Sequence, residues 1–372
     1  MNFLKDILII GGGLACLSSA IHLAKEGFNC TLIEKQEYPK HKVCGEYVSN
    51  EVLPYLSFLG IDPFNAKAKK IDRFLFSDTF GKSVAVTLPQ GGFGISRYAL
   101  DKLLYDQAIA IGVTIIQDTA TYVLYNGKSF EIDTQNSGQL TANFVIGAYG
   151  KRSVLDKKLT RKFIQQQSPW LGVKAHYEAD FPEDLVALHN FDGGYCGLSM
   201  VETGHVNACY LADYKTFKKY KSIQSYQEAV LEKNAGLRTF FNEAKLVFEK
   251  PLSISQISFH KKQAVENHML MIGDSAGLIH PLCGNGMAMA IHSSKILAEL
   301  FVKARLEGKD RSFIETQYVK SWQHNFSNRL RAGRAIQNLL QRKRLTKLGV
   351  QLVQKSPMLL RSIIKATHGK PI

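Results

Sequence analysis

The residues able to do chemistry fall in three short stretches of this 372-residue chain: Gly11-Gly12-Gly13, Cys44-Gly45-Glu46, and Gly273-Asp274 running on to Gly284-Asn285-Gly286. The first follows the apolar run 7–10. Gly11 permits a tight turn there, and Gly13 carries no side chain, so the N–H groups of Leu14 and Ala15 can approach an anion at the positive end of a helix dipole. Glu34, twenty-three residues after Gly11 and followed by Lys35, stands where an acidic side chain would accept hydrogen bonds from ribose hydroxyls. Cys16 replaces the third glycine of the usual dinucleotide fingerprint and reads as a small buried side chain at a helix–strand contact. A glycine turn in an α/β fold that holds no nucleotide is the alternative.

The third stretch repeats this logic. Asp274 follows the short apolar run 269–272, and a glycine-rich approach leads into a helix opening at Gly286 and Met287. Two cradles in one chain imply a long cofactor. Arg97 stands just before another helix, and Gly150 begins a turn after the apolar run 144–148, so both join the expected site.

Other elements must hold these stretches in place. The helix after Gly13 carries Leu14, Leu17, Ile21 and Ala24 on one face and returns to a strand at 30–33. A helix over 51–59 is stopped by Gly60, and loosely alternating strands from 71 to 88 leave the nucleotide layer. Arg97 opens a helix with Leu100, Leu104 and Ala108 on one face, and Asn126-Gly127 joins the runs 121–125 and 129–134 into a hairpin. From about 151 to 251 the texture is that of a separate lobe: a strand at 170–177, runs 195–201 and 205–211 around a turn, and a helix over 220–232. The expected fold class is α/β, a Rossmann-like nucleotide domain (1–70, 92–155 and 252–307) with an inserted antiparallel-sheet substrate lobe (71–91 and 156–251). A basic helical C-terminal region (308–372) follows.

Hydrophobic residues make up 45% of the chain and charged residues 21%, which suits a globular protein with a sizeable core. No stretch reaches the ~18 consecutive apolar residues of a membrane-spanning helix. The first twenty-five residues are apolar and rich in small residues, as a secretion signal is, but Asp6 interrupts the basic region and the segment reads fully as strand and helix. A cytoplasmic protein is expected. The six cysteines form no CxxC pair and no zinc-ligand spacing, so neither disulfides nor a metal site is expected. From Arg329 onward there are eleven Lys or Arg and no Asp or Glu, so this tail carries +11 of the formal +15. Leucines, isoleucines and valines interleave with these cations, a pattern that suits an anionic membrane surface or an acidic partner, or else a helical cap whose outer face is cationic.

With these residues in hand, the chain resembles the flavoproteins that share the p-hydroxybenzoate hydroxylase fold, and among them the geranylgeranyl reductase-like branch. The resemblance covers roughly residues 1–307. It implies FAD, with the Gly11/Gly13/Glu34 unit on its ADP half and Arg97 near the phosphates. Asp274 would bind the ribityl hydroxyls, and Gly284, Asn285, Gly286 and Met287 would face the flavin pyrimidine. Cys44-Gly45-Glu46 is similar to the Cys-Gly-Glu triplet beside the isoalloxazine in geranylgeranyl reductases, which implies a catalytic or pocket-shaping Cys44; a turn with a buried thiol is the simpler reading. The chain departs from the pattern in Tyr149-Gly150-Lys151-Arg152-Ser153, where related proteins carry Asp-Gly, and in Tyr195–Met200, which replaces the aromatic-rich substrate motif of prenyl reductases. The Trp-x-Trp-x-x-Pro element of flavin halogenases is missing.

The reading that follows is an FAD-dependent oxidoreductase passing hydride to a C=C bond of a hydrophobic, isoprenoid- or polyketide-like substrate. No second glycine fingerprint appears, so NAD(P)H would bind transiently or another donor would serve. The rivals are an aromatic monooxygenase and a basic binding protein built on a non-catalytic nucleotide fold. The tail carries none of the recognisable nucleic-acid modules, so nucleic acid is not an expected partner. Peripheral membrane contact through the tail is.

Overall fold

The computed structural model describes residues 6–280, 284–340, 349, 351, 353 and 356–372. Pro281 and Cys283, and all the cations and leucines between 341 and 355, lie outside the described residues.

The strand Asp6–Ile10 sits at the centre of a six-stranded sheet, parallel to Asn29–Ile33 on one side and to Phe144–Gly147 on the other. Thr114–Ile116 and Met269–Met271 continue the parallel pairing outward, and Val265–Glu266 closes one edge antiparallel. Both faces of this sheet are covered, which is why its strands read as unbroken apolar runs instead of alternating. The helices Leu14–Lys25 and Gly286–Leu306 pack against each other on one face. The carboxyl ends of the central strands therefore carry both glycine-rich turns, the place where open α/β sheets bind ligands.

A second, nine-stranded sheet is almost wholly antiparallel and holds Trp170–Glu178, Val206–Asp213, Gly194–Met200, Leu185–Phe191, Lys69–Ser77 and Ser83–Gly94 in spatial order. It is larger than the expected lobe. Tyr47–Ser49, directly after the Cys44 triplet, pairs with Ser83–Gly94, and Leu252–Ser255 pairs with Trp170–Glu178. Cross-strand hydrogen bonding thus ties segments assigned to the nucleotide domain into the lobe's sheet. The expected hairpin forms as Ala120–Tyr125 with Phe130–Thr134, in a small third sheet.

The C-terminal region does not stand apart. The long helix Arg311–Leu340 packs on Gly286–Leu306, and the last helix, Pro357–Thr367, packs on the strand Ser83–Gly94. Leu360 and Ile364 are buried there with Tyr47, Ile71, Val86 and Leu88. Among the described residues, no helix is long and apolar enough to cross a membrane.

Candidate active site

The first turn is built from three glycines with different jobs. Gly11 has φ +124°, and a Cβ there would stand 2.3 Å from the Ala148 carbonyl oxygen. A Cβ on Gly12 would stand 2.1 Å from the Tyr38 hydroxyl. Both are enforced by protein packing. At Gly13 the nearest atom would be Arg97 Nη2 at 3.7 Å, an ordinary contact, so no packing clash within the protein demands this glycine. Gly13 caps the helix Leu14–Lys25 with no side-chain hydrogen bond, which leaves the first N–H groups for a ligand. Cys16 is fully buried, and its thiol donates to the Gly11 carbonyl at 2.7 Å.

Charge at this turn is arranged for an anion. Arg97 bonds Asp101 through Nε and Nη2 at 2.8 and 2.9 Å, and Lys42 reaches the same carboxylate at 2.6 Å and the Gly12 carbonyl at 3.1 Å. Burial alone would raise the Asp101 carboxyl, but Arg97 and Lys42 hold it below its ordinary value. Two cations against one carboxylate leave a net positive cluster beside Gly13. The sequence pointed to Arg97 and missed Lys42 and Asp101, which meet across 59 residues. Glu34 takes bonds from Lys40 at 2.8 Å and the Gln36 N–H at 3.0 Å, and lines the cleft with exposed Lys35.

At the second turn, the Gly150 N–H donates to Ser275 Oγ at 2.9 Å, joining the two expected segments. Lys262 bridges the carbonyls of Lys151 and Asp274 at 2.9 and 2.8 Å, and burial pulls its ammonium down to about 8. The helix Gly286–Leu306 starts without a side-chain cap. Its N-cap residue, Asn285, is buried and donates instead to the Thr367 carbonyl at 2.8 Å, with Glu51 at 3.5 Å. The Asn285 side chain therefore anchors the C-terminal segment and does not line the cleft as expected. Gly284, Gly286 and Met287 do line it.

Between the turns lies Cys44-Gly45-Glu46. Cys44 is half-buried, and a Cβ on Gly45 would meet nothing within 4 Å. Glu46, with φ +55°, turns its carboxylate inward to the Lys174 ammonium at 2.5 Å, His176 Nε2 at 2.7 Å and the Arg97 backbone N–H at 2.7 Å. Burial would raise the Glu46 carboxyl, but His176 and Lys174 outweigh it and hold it below its ordinary value. Both Glu46 and Lys174 have no exposed side-chain surface. His41, whose imidazole burial holds down at about 4, completes the cluster, and its ring centroid lies 5.2 Å from that of His176. His41, Glu46 and His176 place ligand atoms within 4.8 Å of one another, and Lys174 already supplies the positive charge among them. Ser199 Oγ and Asn207 Nδ2 donate to the carbonyls of Gly45 and Cys44 at 3.3 and 3.2 Å. None of these partners was legible, because they lie up to 163 residues from the triplet.

A continuous cleft of about 1560 Å³ runs along all three stretches. It exceeds the roughly 300–1,000 Å³ of a pocket for one ligand, so a cofactor and a second molecule fit together. Beyond the triplet its walls turn apolar: Phe74, Phe76, Leu88, Leu188, Ile363 and Ile364. His280, expected to be structural, is boxed by Trp170, Tyr195 and Phe259, and burial holds it down at about 3.

Residues 5–320 match the FAD-binding domain family. The chain belongs to that family. This flavoprotein is 24% identical over 354 residues to tryptophan 2-halogenase of Chondromyces crocatus, with 86% of this chain covered, and it spans 65% of the halogenase's length. It is 22% identical to menaquinone reductase of Mycobacterium tuberculosis, covering 79% of this chain and 76% of that protein. To digeranylgeranylglycerophospholipid reductase 1 of Methanothermobacter thermautotrophicus it is 24% identical, covering 82% and 78%. Among solved structures, a flavin-dependent brominase superposes with TM-score 0.80 at 16% identity, covering 98% of this chain and 93% of the other. A geranylgeranyl bacteriochlorophyll reductase-like protein of Thermoplasma acidophilum gives 0.77 at 18% identity, covering 97% and 95%. The flavoprotein has the p-hydroxybenzoate hydroxylase fold and is an FAD-dependent oxidoreductase. The open space at Gly45, the clash-free Gly13, the cationic cluster at Arg97 and the uncapped helix at Gly286 all fit the cofactor.

Proposed function

We propose that this flavoprotein reduces a C=C bond in a hydrophobic, isoprenoid-like substrate, taking electrons from NAD(P)H bound transiently or from another donor. The observation that carries the reading is the cleft, whose lining includes, besides Cys44, Gly45 and Glu46, the apolar side chains of Phe74, Phe76, Leu88, Leu188, Ile363 and Ile364. Such walls take a chain of methylenes or isoprene units. Two of the relatives, a menaquinone reductase and a digeranylgeranylglycerophospholipid reductase, are reductases named for lipids. Against the halogenase relatives stands the tryptophan count: Trp170 and Trp322 are the only two, so a Trp-x-Trp element cannot form.

Bound FAD supplies two-electron transfer. The chain's own part is to hold, orient and exclude water. Arg97 and Lys42 would bring positive charge to its phosphates, and Glu34 would take its ribose. The first N–H groups of Gly286 and Met287, left open because Asn285 turns away, favour negative charge at the ring end by about 1 kcal/mol. Cys44 stands at the junction of the two compartments, where a proton donor to the substrate carbon is needed. The apolar walls keep water from that junction.

The test is to incubate the FAD-loaded protein with NADPH under nitrogen and then in air, with polyprenyl lipids and with phenols. A product heavier by two hydrogens, formed in both gases, is expected. A product heavier by one oxygen, formed only in air, overturns the reading in favour of a monooxygenase.

A further inference from the structure

The last helix has two faces with different work. Leu360, Ile363 and Ile364 point inward; Leu360 and Ile364 are buried against the second sheet, and all three line the cleft. On the opposite face Met358, Arg361, Ser362, Lys365 and Ala366 follow one another at helical spacing, and all are exposed. Met358 is 79% exposed. Leu359 is 41% exposed and also lines the cleft, so the cleft reaches the surface at the start of this helix. Among the described residues, Arg361, Lys365 and Lys370 make no ion pair, and no acidic residue occurs anywhere from 329 to 372.

We infer that the outer face of Pro357–Thr367 docks the protein on an anionic lipid bilayer, with the cleft mouth at Leu359 held against the membrane so that an apolar substrate passes directly from bilayer to cleft. The charge pattern selects the partner: cations without compensating carboxylates beside an exposed Met358–Leu359 pair match an anionic headgroup layer over acyl chains. The helix is held for this task from beneath. Glu51, fully buried, receives Arg329 Nη1 at 3.0 Å and the Gly369 N–H at 2.5 Å, while Asn285 holds the Thr367 carbonyl and Gln90 the Gly369 carbonyl at 2.8 Å. A surface seated on such fixed points keeps its orientation when it meets a bilayer. The delivery of substrate rests on the reductase reading above; the docking does not.

The experiment is vesicle flotation of the full-length, FAD-loaded protein with phosphatidylcholine alone, with one-third phosphatidylglycerol, and with a 40-base-pair DNA as competitor. Expected is flotation with the anionic vesicles only, reversed by raising salt. Each cation near an anionic surface is worth about fivefold in binding, so Arg361→Gln with Lys365→Gln lowers the vesicle affinity about 25-fold. Met358→Gln lowers it further. Both changes are on exposed side chains, and an unaltered flavin spectrum confirms that the fold is kept. Equal flotation with neutral vesicles, an unchanged affinity in the double variant, or DNA displacing the vesicles each overturns the proposal. Turnover of detergent-dispersed substrate is measured beside it: in the double variant, loss of flotation with this turnover intact is the expected result, absence of flotation in the wild type refutes the docking, and flotation without reduction of any lipid refutes the reductase reading alone.

Discussion

Lys174→Met tests the buried cluster behind Cys44-Gly45-Glu46. In the wild type, Lys174 and Glu46 form an ion pair at 2.5 Å with neither side chain exposed. Methionine keeps the length and apolar stem of the lysine but removes the charge, so the Glu46 carboxylate is left buried with His176 and the Arg97 N–H as its remaining partners. Breaking one side of a buried pair costs about 3–5 kcal/mol, and the two surviving donors place this case at the low end, about 3 kcal/mol. At ~2–4 °C per kcal/mol for a large domain, the melting temperature falls by about 6–12 °C. Acid narrows the gap. Glu46 has its carboxyl held below the ordinary value, so it contributes stability that is present above pH ~4.3 and lost as the pH falls through the depressed value. His176 is the larger cause of that lowering and stays in the variant, while the share that Lys174 contributes leaves with it, so wild type and variant converge on acidification. Thermal unfolding followed by circular dichroism from pH 3.5 to 8 gives both numbers. Adding Glu46→Gln to Lys174→Met should cost less than the two single changes summed, because the orphaned charge disappears. A Lys174→Met variant within about 0.5 kcal/mol of the wild type at pH 7, or a gap that widens on acidification, refutes the reasoning.

The two ends of the glycine turn should separate folding from binding. Gly11→Ala puts a Cβ 2.3 Å from the Ala148 carbonyl at φ +124° and should yield little folded protein, whereas Gly13→Ala, whose Cβ would make only an ordinary contact with Arg97 Nη2 at 3.7 Å, should fold normally and bind FAD at least about tenfold more weakly by flavin fluorescence titration. Cys44→Ala should leave the melting temperature within about 2 °C of the wild type and lower kcat at least about tenfold, checked by product mass under single turnover. Ile363→Trp narrows the apolar compartment and should raise KM for long substrates more than for short ones, measured across a chain-length series. Lys262 has its folded value depressed to about 8 by burial, so between about pH 8 and its unfolded value near 10.4 the unfolded state binds more protons and stability rises with pH. Lys262→Met should flatten that rise in urea unfolding measured at several pH values.

The glycine turns were readable because their conformational demands are local: a φ of +124° at Gly11 and an uncapped helix start at Gly13 belong to a few consecutive residues. The same holds for the apolar central strands, the Asn126-Gly127 hairpin and Arg97 at its helix start. The edges of the lobe were less clear. Pairing of Tyr47–Ser49 with Ser83–Gly94 is set by a register across some forty residues, and short strands carry too little periodicity to announce it. Asn285 shows the other limit. Its place beside two glycines suggested a cofactor contact, and only the folded C-terminal segment reveals that its amide is committed to the Thr367 carbonyl.

The sequence by itself determined a long-nucleotide α/β fold with two anion-ready helix starts, because backbone conformation and helix dipoles follow from neighbours along the chain. Tertiary structure alone decided what surrounds Cys44: Glu46 meets Lys174 and His176 across 128 and 130 residues, and Leu360, Ile363 and Ile364 arrive from the far end of the chain to wall the cleft. Such contacts are fixed by packing and by the need to pair buried charge, and neither leaves a mark on the spacing of residues in the chain.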